Sequence, residues 1–289
     1  MTLEQLRIFT MVAETLNMTR AAERLYLTQP AVSAAIAILE DRHSARLFDR
    51  IGRRLELSEA GRCFLPEAKA VLARVDEARR VLEELAGLVR GEVRIAASQT
   101  VATYWLPRRM ARFTADRPGI QLSLAVGNSA RTAERVLKGE ADIGFVEGEV
   151  EDALLEKRVV GGDRISLYVA MGHPLAGKKV TKRQLENADW VMREPGSGTR
   201  DHTISGLAKS GVETASLRIR LELPSNGASL EAAEAGDWIA AVSDLAAASR
   251  VKSGSIQRVR WPLPERQFTM LRHVERRAGR AVAAFVDSL

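Results

Sequence analysis

Apolar residues recur with three different spacings along this chain, and each spacing occupies its own stretch of sequence. Up to about residue 65 the spacing is that of short amphipathic helices. Between residues 64 and 89 it changes to alternating steps of four and three, the spacing of a coiled-coil helix. From residue 91 short apolar runs alternate with helical stretches, as in α/β proteins. The chain is therefore predicted to form a small helical domain, a long helix and an α/β domain.

Composition and charge narrow the class of protein. Of the 289 residues 46% are apolar and 28% are charged, which is typical of a globular protein with a buried core. The 43 basic and 37 acidic side chains leave a formal charge of +6, which permits an anionic partner. The lone Cys63 excludes an intramolecular disulfide and favours a reducing compartment. Because the sequence has no signal-peptide pattern and no apolar run near the ~18 residues that span a bilayer, we expect a cytoplasmic protein without a membrane partner.

The first sixty residues have the pattern of a helix-turn-helix. Thr19 is the expected N-cap of the second helix, and Thr28 is that of the third, whose first turn tolerates Pro30. Only Tyr26 and Leu27 separate these two helices. In such a motif the second of the paired helices places its N-terminal side chains against the base edges of DNA. The segment is therefore a candidate DNA-reading domain.

Residues 49–57 follow this motif and have the pattern of two short extended arms with a turn at Gly52. The arms carry Arg50, Arg53 and Arg54. On a β wing these side chains would meet phosphates or the narrow minor groove, where the negative potential is strongest. A solvated loop whose arginines pair with Asp49 and Glu56 fits the same residues.

The stretch from residue 61 to 90 is expected to form one long helix. Its apolar stripe consists of Phe64, Ala68, Val71, Val75, Ala78, Leu82, Leu85 and Val89. The residues between them are mostly charged, so a lone helix would expose the stripe to water. The pattern favours pairing with the same helix of a second copy, and packing against the chain's own body is the alternative.

The last part of the chain alternates strands and helices, which predicts right-handed crossovers and a parallel sheet. The expected strands are 92–97, 120–126, 141–146, 165–171, 190–192, 217–223, 238–242 and 268–274. The expected helices are 101–115, 130–137, 197–210, 228–235, 243–251 and 278–285. The repeated pattern indicates two lobes, and the last strand and helix are expected to complete the first lobe.

Polar residues follow the ends of several predicted strands. They are Ser98, Gln99, Thr100, Asn128, Ser129, Glu147, Gly196, Ser197, Gly198, Thr199, Arg200 and Asn226. In two-lobed α/β domains ligands bind beyond the carboxyl ends of the strands, where helix N-termini suit anions. The turn 196–199 lacks the lysine and spacing of a nucleotide-binding P-loop, so we expect a small oxyanion or carboxylate ligand. For each loop the alternative is an ordinary capped helix start, and for Glu147 it is a rim position outside the cleft.

Catalysis and metal binding find little support in the sequence. The four histidines have no metal-ligand spacing, and the pair Asp201-His202 has no nucleophile elbow nearby. The chain is therefore expected to be no enzyme, to hold no metal and to need no cofactor other than a small effector. A solute-binding protein whose N-terminal helices serve only for dimerisation is the alternative, and it predicts no affinity for DNA.

The first sixty residues resemble the LysR-type transcriptional regulators. The matching positions are Leu6, Phe9, Ala21-Ala22, Leu25, Gln29-Pro30-Ala31-Val32-Ser33, Ile36, Leu39-Glu40, Leu47-Phe48, Arg50 and Leu57-Ser58-Glu59-Ala60-Gly61. The resemblance implies an α/β protein with an all-α-plus-wing N-terminal domain, a long linker helix and a two-lobed effector domain similar to periplasmic binding proteins. The implied boundaries are 1–60 for the winged helix-turn-helix, 61–90 for the linker and dimerisation helix, and 91–289 for the effector domain. Within the effector domain, lobe I would be 91–161 and 266–289, and lobe II 162–265.

The resemblance also assigns roles to individual residues. The residues expected to face DNA from the recognition helix are Thr28, Gln29, Pro30, Ala31, Ser33 and Ala34. Arg53 would enter the minor groove, and phosphates would be met by Arg20, Arg50 and Arg54. The implied partners are double-stranded promoter DNA, RNA polymerase, and further copies of the chain in a homodimer or homotetramer. The turn 195–200 is similar to the branch that controls sulfur assimilation, inorganic-anion and carbon-fixation pathways, which suggests sulfite as one effector.

Two residues before the wing depart from the family pattern. Where the family usually has leucine and glycine, this chain has His43 and Ser44. The left-handed helix cap that glycine normally supplies must therefore come from a residue with a side chain.

Overall fold

The computed structural model describes residues 1–51, 54–85 and 91–289, and the chain forms two compact units that divide between Leu88 and Val89. The first unit is a helical domain with a β-hairpin, and the second is a two-lobed α/β domain. The fold class expected from the sequence is confirmed. In the described part of the chain, no helix combines the length and apolar character that crossing a bilayer requires.

The first unit has the element order of a winged helix-turn-helix. Its helices and strands are α1 (Leu3–Thr15), α2 (Met18–Leu25), α3 (Gln29–His43), β1 (Phe48–Ile51), β2 (Arg54–Leu57) and α4 (Glu59–Leu85). The strands β1 and β2 pair antiparallel, with Phe48 opposite Leu57 and Ile51 opposite Arg54. The two predicted arms of the wing are therefore paired strands, and the turn predicted at Gly52 lies outside the described residues.

The helix ends follow ordinary capping chemistry. Thr28 caps α3 as predicted, because its Oγ1 accepts a hydrogen bond from the amide of Ala31 at 3.4 Å. The prediction for α2 is wrong, because its N-cap is Asn17, whose Oδ1 accepts from the Arg20 amide at 3.0 Å. Thr19 lies inside the first turn of that helix, two residues too late to cap it. Ser44 ends α3 in the left-handed conformation, with φ 49°, as the missing glycine required.

An aromatic cluster joins the first and last helices of this unit. The ring of Phe9 lies 5.5 Å from that of Phe48 and 5.1 Å from that of Phe64. Ala68, on the same helix as Phe64, is also buried in this core. The first two positions of the predicted heptad stripe therefore pack within their own unit. Farther along α4, Val71 and Leu82 are exposed, the latter by 68%.

The strands of the second unit form a mixed sheet. They are β3 (Gly91–Ser98), β4 (Ile120–Gly127), β5 (Ile143–Val146), β6 (Leu155–Ala170), β7 (Asp189–Arg193), β8 (Arg218–Leu223), β9 (Ile239–Ser243), β10 (Ile256–Val259) and β11 (Glu265–His273). The helices are α5 (Leu106–Asp116), α6 (Ser129–Leu137), α7 (Lys182–Asn187), α8 (Gly198–Lys209), α9 (Asn226–Ala235), α10 (Asp244–Ser253) and α11 (Arg280–Asp287). A π-helical turn (Val101–Trp105) precedes α5, and a 3-10 turn (Thr214–Ser216) precedes β8.

The sheet order is β4-β3-β5-β11-β6-β9-β7-β8, with β10 also paired to β6. The inner strands of each lobe run parallel, as predicted, but β6 and β11 pair antiparallel with their neighbours. The expectation of a purely parallel sheet is therefore wrong. Strand β6 also begins ten residues before the predicted strand 165–171, because its first half is rich in charged residues and glycine and lacks an apolar alternation.

Strands β6 and β11 pass between the two lobes. Residues 155–164 of β6 pair with β11, whereas residues 165–170 pair with β9 and β10. The lobe I core contains Val93, Ile95, Phe145, Phe268 and Phe285, and the lobe II core contains Leu167, Trp190, Leu207 and Ile239. The last strand and helix thus contribute to the core of the first lobe. The two long strands place the facing loops of both lobes next to each other.

Candidate functional site

The beginning of α3 presents an exposed surface with its polar groups outward. Val32, Ile36 and Leu39 face the core of the unit, whereas the opposite side is open to solvent. The exposed residues there are Thr28, Gln29, Pro30, Ala31 and Ala34. Ser33 is half-buried. The residues that the sequence assigned to this surface therefore lie together in the N-cap and first two turns of one helix, outside its buried stripe.

Ser33 orients the side chain of Gln29. Its Oγ accepts a hydrogen bond from Gln29 Nε2 at 2.8 Å. A glutamine amide has two N–H donors and one carbonyl oxygen, so one N–H and Oε1 of Gln29 stay available. That pair of groups is what a bidentate contact with an adenine base needs.

The wing is held in place by a carboxylate on α3. Glu40 Oε1 accepts hydrogen bonds from the amides of Leu47 at 2.7 Å and Phe48 at 3.1 Å. Within the described residues, the exposed Arg50 and Arg54 form no ion pair. The alternative in which the wing arginines pair with Asp49 and Glu56 is therefore wrong for these two. Arg53 lies outside the described residues. An open groove of about 960 Å³ separates the wing from the beginnings of α2 and α3.

The exposed guanidinium of Arg20 lies in the first turn of α2. Together with Arg50 and Arg54 it gives this unit cationic side chains on the helix-turn-helix and on the wing. Two of them, Arg50 and Arg54, border the groove, and Gln29 of α3 borders it as well.

In the second unit, polar residues from both lobes meet between them. We call this set the interlobe cluster: Ser98, Gln99, Thr100, Asn128, Ser129 and Glu147 from lobe I, and Arg193, Gly196, Ser197, Gly198, Thr199 and Asn226 from lobe II. They follow β3, β4, β5 and β7 or begin α6, α8 and α9. Most of their side chains are buried, although the cluster is rich in hydroxyl and amide groups.

Gln99 links the two lobes directly. Its Oε1 accepts from the backbone amide of Asn226 at 3.1 Å and from Asn226 Nδ2 at 2.9 Å. The same Nδ2 donates to Thr100 Oγ1 at 2.9 Å, and Arg193 Nη1 reaches Gln99 at 3.4 Å. One glutamine of lobe I therefore contacts two residues of lobe II.

The backbones of the lobes touch at two glycines. A Cβ placed on Gly198 would lie 2.6 Å from the Cα of Gly148, closer than Cβ contacts in real structures. The amide of Gly148 in turn donates to Ser129 Oγ at 3.2 Å. Nearby, Gly196 has φ +80°, a conformation that side chains rarely adopt, and its carbonyl accepts from the Ala130 amide at 3.4 Å. Glycine is thus required at 196 and 198 for different reasons.

Two buried polar atoms of the interlobe cluster lack a hydrogen-bond partner in the described structure. They are Ser197 Oγ and Asn226 Oδ1, on residues with relative exposures of 1% and 0%. Ser197 is the N-cap residue of α8, and its side chain makes no capping hydrogen bond. Buried polar groups are rarely left unpaired, so a ligand with oxygen atoms would complete this arrangement.

Hydrogen bonds and an ion pair fix the positions of the Asn128 and Arg200 side chains. Asn128 caps α6 by accepting from the Arg131 amide at 2.9 Å, and its Nδ2 donates to the Pro195 carbonyl at 3.4 Å. Arg200 donates to the Arg193 carbonyl at 2.9 Å and forms an ion pair with Glu222. The structure therefore brings eleven of the twelve residues predicted for this site to the lobe interface, whereas the Arg200 guanidinium binds groups of lobe II.

The sequence analysis did not identify two buried arginines in this region as site residues. Arg193 pairs with Glu194, with N–O distances of 2.8 and 3.0 Å, and Arg266 pairs with Asp163. Each guanidinium already has a carboxylate beside it, so hydroxyls, amides and helix N-termini are the donors left for a ligand. Arg193 directly precedes the turn 194–200 and could have been noticed as a charge at a strand end.

Glu147 lies inside the interlobe cluster and not on its rim. Its carboxylate accepts a hydrogen bond from Ser98 Oγ, and its Oε1 lies 3.7 Å from Arg266 Nη1. Burial raises the pKa of this carboxyl, although Arg266 and a hydrogen bond from Thr100 favour the charged form. Among the described residues, no group of His, Cys, Asp or Glu is arranged to hold a metal ion.

A winged helix-turn-helix joined by a long helix to a two-lobed α/β domain with a polar interlobe cluster defines a ligand-responsive DNA-binding regulator. Comparison with known families agrees with this class. Residues 3–62 match the bacterial regulatory helix-turn-helix protein, lysR family, and residues 86–289 match the LysR substrate binding domain. The chain belongs to the LysR family of transcriptional regulators. It is therefore no enzyme, and the alternative of a solute-binding protein without DNA binding is wrong.

Individual relatives cover most of the chain. It is 34% identical over 288 residues to an uncharacterized HTH-type transcriptional regulator, YeiE, of Escherichia coli K12, covering 99% of this chain and 96% of that protein. It is 34% identical over 249 residues to a probable RuBisCO transcriptional regulator of Synechocystis sp., covering 85% and 72% of the two chains.

Two solved structures resemble the fold. Full-length CbnR complexed with its target DNA has a TM-score of 0.73 at 23% identity, covering 100% of this chain and 98% of that one. The regulatory domain of Synechocystis CcmR in complex with 2-PG has a TM-score of 0.63 at 26% identity, covering 68% of this chain and 95% of that one. The first similarity concerns the fold alone.

Proposed function

We propose that this LysR-family protein binds promoter DNA through α3 and the wing, under the control of a small anion held by the interlobe cluster. The observation that carries the proposal is the buried, unpaired Ser197 Oγ at the uncapped start of α8. An oxyanion or carboxylate oxygen there would accept from the hydroxyl and meet the positive end of the helix.

The chemistry of the interlobe cluster limits the size and charge of its ligand. The guanidinium of Arg193 in the cluster and that of Arg266 beside it are each paired with a carboxylate, and Glu147 adds a further acidic group. A large polyanion such as a nucleotide would find no uncompensated cation here, whereas a small oxyanion such as sulfite, or a small carboxylate, needs only hydroxyl and amide donors. The solved structure of the CcmR regulatory domain in complex with 2-PG supports a small ligand for this domain type.

On the DNA side, Gln29 is proposed to read an adenine, oriented by its hydrogen bond with Ser33. Pro30 and Ala31 are proposed to contact thymine methyl groups. The remaining proposed contacts are Thr28, Ser33 and Ala34 from α3, phosphate contacts from Arg20, Arg50 and Arg54, and the minor-groove contact of Arg53. Phosphate contacts raise affinity without reading sequence, and they weaken with salt.

Assembly is proposed to proceed through α4. Val71 and Leu82 are exposed on this helix, and an apolar stripe of this kind suits the matching helix of a second copy. A dimer would present two recognition helices to a pseudo-palindromic site, and a tetramer would add contacts between effector domains. RNA polymerase is the proposed protein partner at the promoter, and the compartment is proposed to be the cytoplasm.

Control by the anion is proposed to work through the relative arrangement of the lobes. A ligand shifts an equilibrium only by its differential affinity for the two states, and coupling between sites is typically ~1–3 kcal/mol. The bound anion would thereby change the angle between paired DNA-binding units and the bend of the promoter. An unchanged footprint and bend at saturating anion would contradict this mechanism.

The test uses the full-length protein and labelled DNA from upstream of its own gene. Fluorescence anisotropy at low salt measures DNA affinity, and calorimetry with sodium sulfite and small carboxylates measures ligand affinity. Ser33→Ala should weaken DNA binding and leave ligand affinity intact, whereas Thr199→Ala should do the reverse. Failure of the wild-type protein to bind any such DNA, or loss of both activities in both variants, would refute the assignment.

A further inference from the structure

A buried ion pair lies where the two long strands pass between the lobes. Asp163 of β6 and Arg266 of β11 are directly opposite each other in the antiparallel register. Their side chains are 2% and 1% exposed. Arg266 donates to Asp163 through Nε and through Nη2, the latter at 2.9 Å, so the contact is bidentate.

The same guanidinium contacts both walls of the interlobe cluster. Its Nη1 donates to Thr199 Oγ1 of lobe II at 3.0 Å and lies 3.7 Å from Glu147 Oε1 of lobe I. Asp163, on the other side of the pair, accepts from Ser243 Oγ of lobe II. One planar group therefore connects the crossing strands, the start of α8 and the loop after β5.

Two glycines of β6 allow close backbone and side-chain contacts beside this ion pair. A Cβ on Gly162 would lie 2.6 Å from the carbonyl oxygen of Arg266, and one on Gly161 would lie 2.9 Å from Trp105 Nε1. The register between β6 and β11 shifts between Phe268 and Thr269, just beyond the pair. Glycine at 161 and 162 and the irregular register thus fix where Asp163 and Arg266 meet.

We infer that Asp163 and Arg266 are positioning residues for the anion site: they hold Thr199 of one lobe and Glu147 of the other at the separation that the anion requires. This inference rests on the proposed function of the interlobe cluster. Arg266 acts through Thr199 and Glu147, so its removal changes both the affinity for the anion and the discrimination between anions of different shape.

Stability alone is a weak reason for such a pair. Buried ion pairs replaced by apolar residues of similar volume often leave a protein as stable or more stable, because both charges lose their hydration on burial. An apolar pair at 163 and 266 could therefore preserve the fold while losing the hydrogen bond to Thr199.

The neighbouring register position provides a matched control. Arg164 and Glu265 face each other on the same two strands and also form an ion pair, but they are exposed by 51% and 75%. Neither contacts a residue of the interlobe cluster among the contacts of the described residues. Replacing both residues of this pair alters the same two strands but removes no contact with the interlobe cluster.

The experiment is calorimetry of the full-length protein with sodium sulfite and sodium sulfate as probes. The variants are Arg266→Met, Arg266→Lys, the double variant Asp163→Leu/Arg266→Met, and the control Arg164→Met/Glu265→Leu. For the double variant we expect a thermal midpoint near that of the wild type, at least a thirtyfold loss of affinity for the tighter-binding probe and a changed sulfite-to-sulfate ratio. Arg266→Lys should restore part of the affinity, because lysine keeps the charge and loses the planar fork. The control should stay within twofold.

The outcomes separate the two proposals. If the wild type binds neither these probes nor small carboxylates, the proposed anion site fails and this inference fails with it. If the wild type binds a probe and the folded double variant binds it with the same affinity and the same selectivity, only the positioning role is refuted. The double variant also tests the inference if Arg266→Met does not fold, because it removes both members of the Asp163–Arg266 ion pair and so does not leave Asp163 buried without its cation.

Discussion

The contact between Gly148 and Gly198 gives the sharpest test of the lobe geometry. Replacing Gly198 with alanine adds one methyl group at the point where the two backbones touch. The added Cβ would lie 2.4 Å from the amide nitrogen of Gly148 and 2.6 Å from its Cα. Both neighbours are backbone atoms, so no side-chain rotation relieves the overlap.

The size of the effect follows from the displacement required. Ordinary contact begins near 3.4 Å, so the backbones must move apart by about 1.0 Å. Overpacking of this kind costs ~1–3 kcal/mol when it cannot relax. If the lobes separate to relieve the overlap, the same free energy opposes closure around the ligand. We therefore expect the anion to bind Gly198→Ala about 5- to 150-fold more weakly.

The assay is calorimetry with the best-binding inorganic anion, accompanied by thermal unfolding. Gly227→Ala is the matched control, because Gly227 also lies in the first turn of a lobe II helix and its Cβ would have only Ser225 Oγ within 4 Å, at 3.9 Å. The control should bind within twofold of the wild type. A Gly198→Ala protein with wild-type affinity and thermal midpoint would show that the lobes do not need this contact.

Three further predictions concern single residues. Ser44→Gly should raise the free energy of unfolding by about 0.5–1 kcal/mol, because a left-handed backbone is strained for serine and unstrained for glycine. Urea titrations measure the change, and an unchanged free energy of unfolding would contradict this account. Because burial raises the pKa of the Glu147 carboxyl, its ionisation destabilises the fold as pH rises through that pKa. Glu147→Gln should therefore raise the thermal midpoint more at pH 8 than at pH 4, and an equal gain at both would refute the assignment. Arg50→Ala should lower the slope of log affinity for DNA against log salt by about 0.9, and an unchanged slope would exclude a phosphate contact.

The parts of the molecule that the sequence predicted well are those governed by neighbouring residues. The helix-turn-helix depends on a short turn and on caps within a few positions, and Thr28 met this requirement. The confusion of Thr19 with Asn17 has the same origin, since both residue types cap helices and lie two positions apart. Ser44 was singled out by its departure from a family pattern, and its backbone is left-handed as expected.

The polar loops of the interlobe cluster could also be located in advance. In a parallel α/β lobe the carboxyl ends of the strands meet at one edge, so polar residues that follow separate strands come together. Ser98, Asn128 and Glu147 follow this rule within lobe I. Their partners in lobe II were found in the same way, and the depth of Glu147 was the uncertain part, because a carboxylate after a strand fits a rim position equally well.

The pairing of Asp163 with Arg266 could not be read from the sequence, since the two residues lie more than a hundred positions apart. Their contact depends on the antiparallel register of two strands, and one of these strands had no apolar alternation in the segment that carries Asp163. A shift of one residue in that register would turn both side chains to the other face of the sheet. Local patterns can therefore place the donors of an anion site, whereas the groups that fix the distance between its two walls depend on a register that only the folded strands define.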